Sequence, residues 1–322
     1  MFSIIIPLYN KADYIQRAIE SVLSQTYREF ELIVIDDGSK DESFAKLSVI
    51  SNHLSIEDSA SFNKIKIVQQ ENQGVSTTRN NGVKLAKYDF IAFLDADDWW
   101  EPTYLEEMKK LIEEFPDAGI YGSSYFKVKD GQNIKANIGV ENGFVKGLIN
   151  YCQVYSKTFY MPLWTGATII KKSIFITENG FKPNLILGED FDLWIRGALK
   201  YPVAFLNKTL AYYDQDVAVS GKAVLKERIY KPESIYIFNL DFLKDEEQHN
   251  KDLKKLLDLL RVYTLQRYRL NYEYPELVKS EIAKVDFSHQ ELSFWFIYHL
   301  PIRLVNRYYN LRKKIRQFIL NK

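Results

Sequence analysis

One cysteine in 322 residues, Cys152, excludes an intramolecular disulfide and a cysteine-built zinc site, and it fits a reducing compartment. An excess of either charge is also missing. Lys and Arg number 43 against 42 Asp and Glu, so no overall field marks the chain as a nucleic-acid binder. Long apolar runs are absent: "LSFWFIYHL" near the C-terminus is far shorter than the ~20 residues that span a bilayer. The opening "MFSIIIPLYNKADY" has no basic stretch ahead of its short apolar run and does not read as a signal peptide, which makes the cytoplasm the expected compartment. No G-x-G-x-x-G follows that run, which argues against a dinucleotide site, and no Gly-rich phosphate loop stands there, as a sugar-phosphate nucleotidyltransferase would need. The four histidines, His53, His249, His289 and His299, are scattered and read as structural or surface residues.

What is present is a regular alternation. Short apolar runs ("FSIII", "FELIVI", "KIKIV", "FIAFL") are separated by amphipathic stretches, the first with Ile15, Ile19, Val22 and Leu23 on one face. Apolar runs without polar alternation indicate strands buried on both faces, and strands alternating with helices indicate an α/β fold with a parallel sheet. Ser51 to Asn63 reads as a polar surface connection. Residues Trp164 to Tyr213 add further strands and a helix that extend the sheet and close over a site. After Ser220 the chain turns into charged, Leu- and Tyr-rich helical sequence. The expected division is therefore 1–220, an α/β domain, and 221–322, a helical region.

In open α/β sheets ligands bind beyond the carboxyl ends of the strands, and acids cluster at such ends here. "FELIVIDDGSKD" leads a strand into Asp36 and Asp37; "FIAFLDADDWW" leads another into Asp95, Asp97 and Asp98. Two readings compete for the second cluster. Acids before Pro102 suit the N-terminus of a following helix. Alternatively, Asp95 and Asp97, one small residue apart, could hold a hard divalent cation, which is commonly bound by one or two carboxylates together with substrate phosphates. For "DDGS" the plain alternative is turn chemistry.

"FSIIIPLYNKADYIQRAIESVLSQTY", "ELIVIDDGSKD", "NQGVSTTRNNGVKLAKYDFIAFLDADD" and "GEDFDLWIR", in that order, resemble the family 2 glycosyltransferases of GT-A fold, over roughly the first two-thirds of the chain. With no Gln-x-x-Arg-Trp segment, the likeness is to single-transfer members rather than processive synthases. The resemblance implies a UDP-sugar donor, a glycan or lipid-linked glycan acceptor, and inversion at the anomeric carbon. It implies that Pro7, Tyr9 and Asn10 border the nucleotide pocket and that Asp37, with Asp36, hydrogen-bonds uracil. Arg79 would lie near the nucleotide or diphosphate, Asp95 at the ribose or a metal-bound water, and Ala96 among the nucleotide-binding residues. Asp97, with Asp95, would bind Mn²⁺ or Mg²⁺; Asp190 would be the catalytic base, with Glu189 beside it and Trp194 flanking the acceptor. Asp98 is left to the helix-cap reading. Where many relatives carry a metal-completing histidine, this chain reads "YYDQDVAVSG", leaving Asp216 as a substitute oxygen ligand or part of a closing loop. The implied role is cell-surface or capsular polysaccharide synthesis; the alternative is a nucleotide-sugar-binding or membrane-scaffolding protein without turnover.

From Leu292 to Lys322 there is no acid, while Arg303, Arg307, Arg312, Lys313, Lys314, Arg316 and Lys322 are basic. A helix after Pro301 would place Leu304, Tyr308, Leu311, Ile315, Phe318 and Ile319 on one face. That pattern reads as an in-plane anchor on the cytoplasmic face of the membrane, or else as a helix docked on the catalytic domain or on a partner.

Overall fold

The first apolar run forms β1 (Phe2–Leu8), buried along almost its whole length, because parallel neighbours and covering helices leave neither face to water. The structure is a computed structural model that describes residues 1–57, 65–217 and 228–309, the side chains of 51–57 aside. It divides into two compact units, Met1–Leu225 and Lys226–Lys322.

In the first unit, β1 is followed by α1 (Ile15–Leu23), β2 (Phe30–Asp36), α2 (Ser43–Glu57), β3 (Ile65–Gln69), α3 (Val75–Leu85) and β4 (Phe90–Phe93). These strands pair in parallel in the order β3-β2-β1-β4, the α/β pattern expected. α2 runs through Glu57, so the start of the expected polar connection is helical; residues 58–64 lie outside the described ones. Helix α1 buries Ile15, Ala18, Ile19 and Val22, the spacing legible in the sequence.

The remaining elements are β5 (Trp99–Trp100), α4 (Tyr104–Glu114), β6 (Ile120–Lys129), β7 (Gln132–Lys135), β8 (Lys146–Ile149), α5 (Tyr151–Thr158), β9 (Thr168–Lys171), α6 (Lys172–Thr177), α7 (Glu189–Ala198) and β10 (Val203–Asp214). Strand β9 lies antiparallel between β4 and β6, and β10 runs parallel to β6. The segments "VAFL" and "LAYY" are one strand with an irregular register, not two. Because β1 has β2 on one side and β4 on the other, successive connections leave it in opposite directions. The crevice beyond β1 and β4 is the topological switch point, where α/β sheets bind ligands.

Helix α3 packs against β1 closely enough to need a glycine. A Cβ on Gly82 would stand 2.4 Å from Ile5 Cγ2. Gly82→Ala is expected to destabilise the protein by about 1–3 kcal/mol through overpacking, read as a lower urea midpoint at unchanged slope.

The second unit is helical: α8 (Lys244–His249), α9 (Lys251–Asn271), α10 (Pro275–Ile282) and α11 (Leu292–His299), with residues 302–309 helical as well. Asn250 caps α9 by accepting from Leu253 N–H at 3.0 Å. Inside it Arg261 is almost wholly buried and paired with Glu247 and Glu281. Val262, Phe294, Ile297 and Val305 form its apolar centre. No helix among the described residues is long and apolar enough to cross a membrane.

Candidate active site

The loops after β1, β2 and β4 meet at the switch point. Asn10, in the left-handed region at φ 52°, ties the first two together: its N–H donates to Ser39 Oγ at 3.1 Å, and its Oδ1 accepts from Lys40 N–H at 2.8 Å. Asparagine tolerates that backbone where most residues would not. Tyr9 is exposed beside it, and Pro7 is partly buried in the strand below.

Asp36 and Asp37 separate into different tasks. Asp36 is fully buried, and its carboxylate accepts from Ser39 N–H at 3.3 Å and Gln69 Nε2 at 3.0 Å. These two bonds hold the turn. Asp37 accepts from Gln70 Nε2 (2.7 Å), Gln73 N–H (2.9 Å) and Gly74 N–H (2.9 Å), fastening the loop that leads into α3. Those donors take three of the roughly four acceptor positions of a carboxylate, so one remains for a ligand N–H.

Arg79 on α3 is the centre of the site. It is 3% exposed, donating from Nη2 to Asp95 Oδ1 at 2.7 Å and from Nη1 to Glu189 Oε1 at 3.1 Å. Burial opposes its charge, but Asp95, Glu189 and Asp190 outweigh that and hold its proton more firmly than in a free guanidinium. Glu189 and Asp190 open α7, whose N-cap Gly188 is left-handed at φ 79°. Burial, then the neighbouring Asp190, push the Glu189 carboxyl up to about 7, with Arg79 opposing. Asp190 is raised by burial first and by the Asp95 charge, against its hydrogen bond from Phe191 N–H at 2.7 Å and the pull of Arg79.

After β4 the chain turns sharply, Asp98 N–H donating to Asp95 O at 3.0 Å. Asp97 pairs with the Lys11 ammonium, and burial nonetheless raises its carboxyl above the ordinary range. Arg17 of α1 donates to Asp97 O at 2.7 Å and to Asp214 Oδ2 at 2.6 Å, with its guanidinium 3.7 Å from the centre of the Trp99 ring. Asp98 is buried, accepts from Asp214 N–H at 2.8 Å, and is raised well above the usual range by burial and by Asp97 and Asp95. The helix-cap reading of these acids is corrected. Helix α4 begins at Tyr104, and β5 stands between because Trp99 and Trp100 pair with β10.

Three further residues singled out in the sequence have partners inside the protein. Trp194 is fully buried, edge-on to Phe181 at 6.0 Å. The i, i+4 spacing puts it on the face of Asp190 but one turn deeper, where it supports Phe181, itself 5.2 Å from the Arg79 guanidinium. Ala96 belongs to the apolar core, leaving its backbone for any nucleotide contact. Asp216 accepts from Asp130 N–H (2.8 Å) and Gly131 N–H (2.9 Å), closing the β6–β7 turn, and its own N–H donates to Asp214 Oδ1 at 2.9 Å. Of the histidines, the side chains of His249, His289 and His299 are exposed; that of His53 lies outside the described residues.

The sequence reading missed Lys11, Arg17 and Asp214. Asp214 ends a strand as Asp36 does, the same signal, but the polar Gln215 and Asp216 that follow obscured it. Six carboxyls (Asp95, Asp97, Asp98, Glu189, Asp190, Asp214) thus share the site with three cations (Lys11, Arg17, Arg79). Among the described residues no three His, Cys, Asp or Glu converge as a ready-made metal cage. The donor set at Asp95 and Asp97 is all-oxygen and partly open, and the cluster around it holds more carboxyls than cations. It fits a hard divalent ion completed by phosphate oxygens, with the Lys11 ammonium standing where positive charge is wanted.

The glycosyl transferase family 2 model matches residues 3–175. An uncharacterized glycosyltransferase of Rickettsia felis is 33% identical over 221 residues, which is 68% of this chain and 33% of that protein. The putative glycosyltransferase EpsH of Bacillus subtilis is 39% identical over 121 residues, 36% of this chain and 31% of EpsH. The chain therefore spans about a third of the length of these curated relatives. Among solved structures, S. aureus TarS 1–349 in complex with UDP-GlcNAc superposes with a TM-score of 0.71 at 18% identity, covering 96% of this chain and 91% of that one. The mannosyltransferase PcManGT of Pyrobaculum calidifontis, in complex with GDP-Man and Mn²⁺, gives 0.51 at 14% identity, with 91% and 71% covered. The architecture is that of the GT-A glycosyltransferases, and the chain belongs to glycosyl transferase family 2.

Proposed function

We propose that this site transfers a sugar from a UDP-sugar to a hydroxyl of a glycan or lipid-linked glycan, with inversion, in the building of a cell-surface or capsular polysaccharide. One observation carries the reading: Arg79 joins Asp95, at the end of β4, to Glu189, next to Asp190. Such a bridge ties the acid at the donor side of the crevice to the acid that would take the acceptor's proton. TarS with bound UDP-GlcNAc supports a uridine donor.

The residues divide the work. Pro7, Tyr9 and the remaining acceptor position of Asp37 border the base, where a carboxylate suits the N–H of uracil. Asp97, with Asp95, would hold a divalent cation, whose positive charge would stabilise the departing diphosphate. Arg79 holds Asp95 and Glu189 in place and keeps a cation near the phosphates. Asp190, raised by burial, takes a proton from the acceptor hydroxyl as that oxygen attacks the anomeric carbon from the face opposite the leaving group.

Release of UDP by the purified protein tests this across a panel of UDP- and GDP-sugars, with Mn²⁺ or with chelator. Turnover of one UDP-sugar is expected, lost with chelator and reduced in Asp97→Asn, which should also weaken Mn²⁺ binding measured by electron paramagnetic resonance with UDP present. No release from any donor, with lipid-linked acceptors supplied, would leave the binding or scaffolding role as the better account. Product NMR showing a retained anomeric configuration would reject the inverting scheme.

The pH profile follows from the same groups. A base works deprotonated, and burial raises both Asp190 and Glu189. Activity is therefore expected to rise with pH along an acid limb lying above the ordinary carboxylate range, near 4. A limb at or below that range would show that no desolvated carboxylate limits the rate.

A further inference from the structure

The second unit leaves uncovered an apolar surface that its own core does not use. Helix α11, "LSFWFIYH", is apolar nearly all round, and such helices belong in a core or a membrane. Here only one side is covered: Phe294 and Ile297 are buried, while Leu292 is 75%, Trp295 42% and Phe296 49% exposed. The helical residues 302–309 repeat the arrangement. Ile302, Val305 and Tyr309 pack on the core shared with α11, and Gln266 Nε2 donating to Tyr309 Oη at 2.6 Å fixes the rotation. Leu304 and Tyr308 therefore point outward, 50% and 58% exposed, in a row beside a second exposed row, Arg303 and Arg307. The helix packs on the second unit's own core, by the face opposite to the apolar row that the sequence singled out.

We propose that these outer faces of α11 and residues 302–309 seat the protein on an anionic lipid surface, with the aromatic and leucine side chains at the headgroup boundary and the arginines on lipid phosphates. Trp and Tyr favour that boundary, and exposed apolar rows flanked by Arg are the pattern of helices lying in the interface. Charge decides between lipid and a second copy of the chain. The stretch from Leu292 to Lys322 holds seven Lys and Arg and no acid. On the described face a two-fold contact would bring the exposed Arg303 and Arg307 against like charge, whereas an anionic bilayer would attract them. Binding of this kind needs neither donor nor turnover, so it stands or falls separately from the transferase reading.

The test is flotation of the full-length chain with vesicles of phosphatidylcholine alone or mixed with phosphatidylglycerol, at low and high salt. Comparison variants are Leu304→Ser/Tyr308→Ser and Arg303→Glu/Arg307→Glu, all at exposed positions, with folding checked by circular dichroism. Binding to the anionic vesicles is expected, weakened by salt, and about tenfold weaker or more in either double variant. Absence of flotation at low salt would overturn the proposal. So would vesicle binding that both double variants leave unchanged, or a concentration-dependent dimer abolished by Leu304→Ser/Tyr308→Ser, which would assign the face to a second copy.

Discussion

Asp190→Asn is expected to lower kcat by about 10²–10⁴-fold, the usual contribution of a positioned general base, while leaving UDP affinity within a few-fold. Asparagine keeps the side-chain oxygen that accepts from Phe191 N–H, so the start of α7 should hold its shape and the loss should be chemical. The variant also separates Asp190 from its neighbour. Glu189 owes part of its elevation, to about 7, to the Asp190 charge. Removing that charge moves Glu189 back toward the ordinary range. If Glu189 were the base, Asp190→Asn would keep substantial activity with its acid limb shifted downward, and Glu189→Gln would be the inactive variant. Pre-steady-state rates and pH profiles of both variants decide the matter; an active Asp190→Asn sinks the assignment.

Arg79→Met is expected to cost about 3–5 kcal/mol of stability, because removing one partner of a buried ion pair strands the other. Two carboxylates are stranded here, Asp95 and Glu189, and the pair closes off a buried guanidinium rather than a surface one. Arg79→Lys should recover only part of the loss, since one ammonium lacks the planar fork that reaches both acids. The sign with pH follows from Glu189. Its folded carboxyl is already raised and loses the opposing pull of Arg79 in the variant. A raised acid favours folding while protonated, so the variant should lie nearest to wild type below the unfolded carboxylate range, and its deficit should grow as pH rises through the elevated folded value. Urea midpoints at three pH values measure this. A deficit that does not change with pH would mean that lost packing against Phe181, not stranded charge, dominates.

The fold and its ligand edge were legible because they follow from local pattern. Apolar runs such as "ELIVID" have only one way to be buried on both faces, and acids at their ends must fall beyond the sheet. Contact partners distant in sequence were not legible. Trp194 shares a helical face with Asp190, yet Phe181 covers it. Asp98 sits close ahead of a helix, yet its carboxylate serves the backbone of Asp214, 116 residues away. The two N–H donors that Asp216 receives come from the β6–β7 turn, 86 and 85 residues away.

By itself the sequence determined the alternating α/β order, the acidic strand ends, the family pattern carried by them, and a basic C-terminus with an apolar row, since each depends on residue type and spacing along the chain. Only the tertiary structure decided which charges neutralise one another. Lys11 with Asp97, Arg17 with Asp214, and Arg79 between Asp95 and Glu189 are pairings across 86, 197, 16 and 110 residues. The strength of each is set by burial and distance, quantities that exist only once the sheet has brought the ends of its strands together.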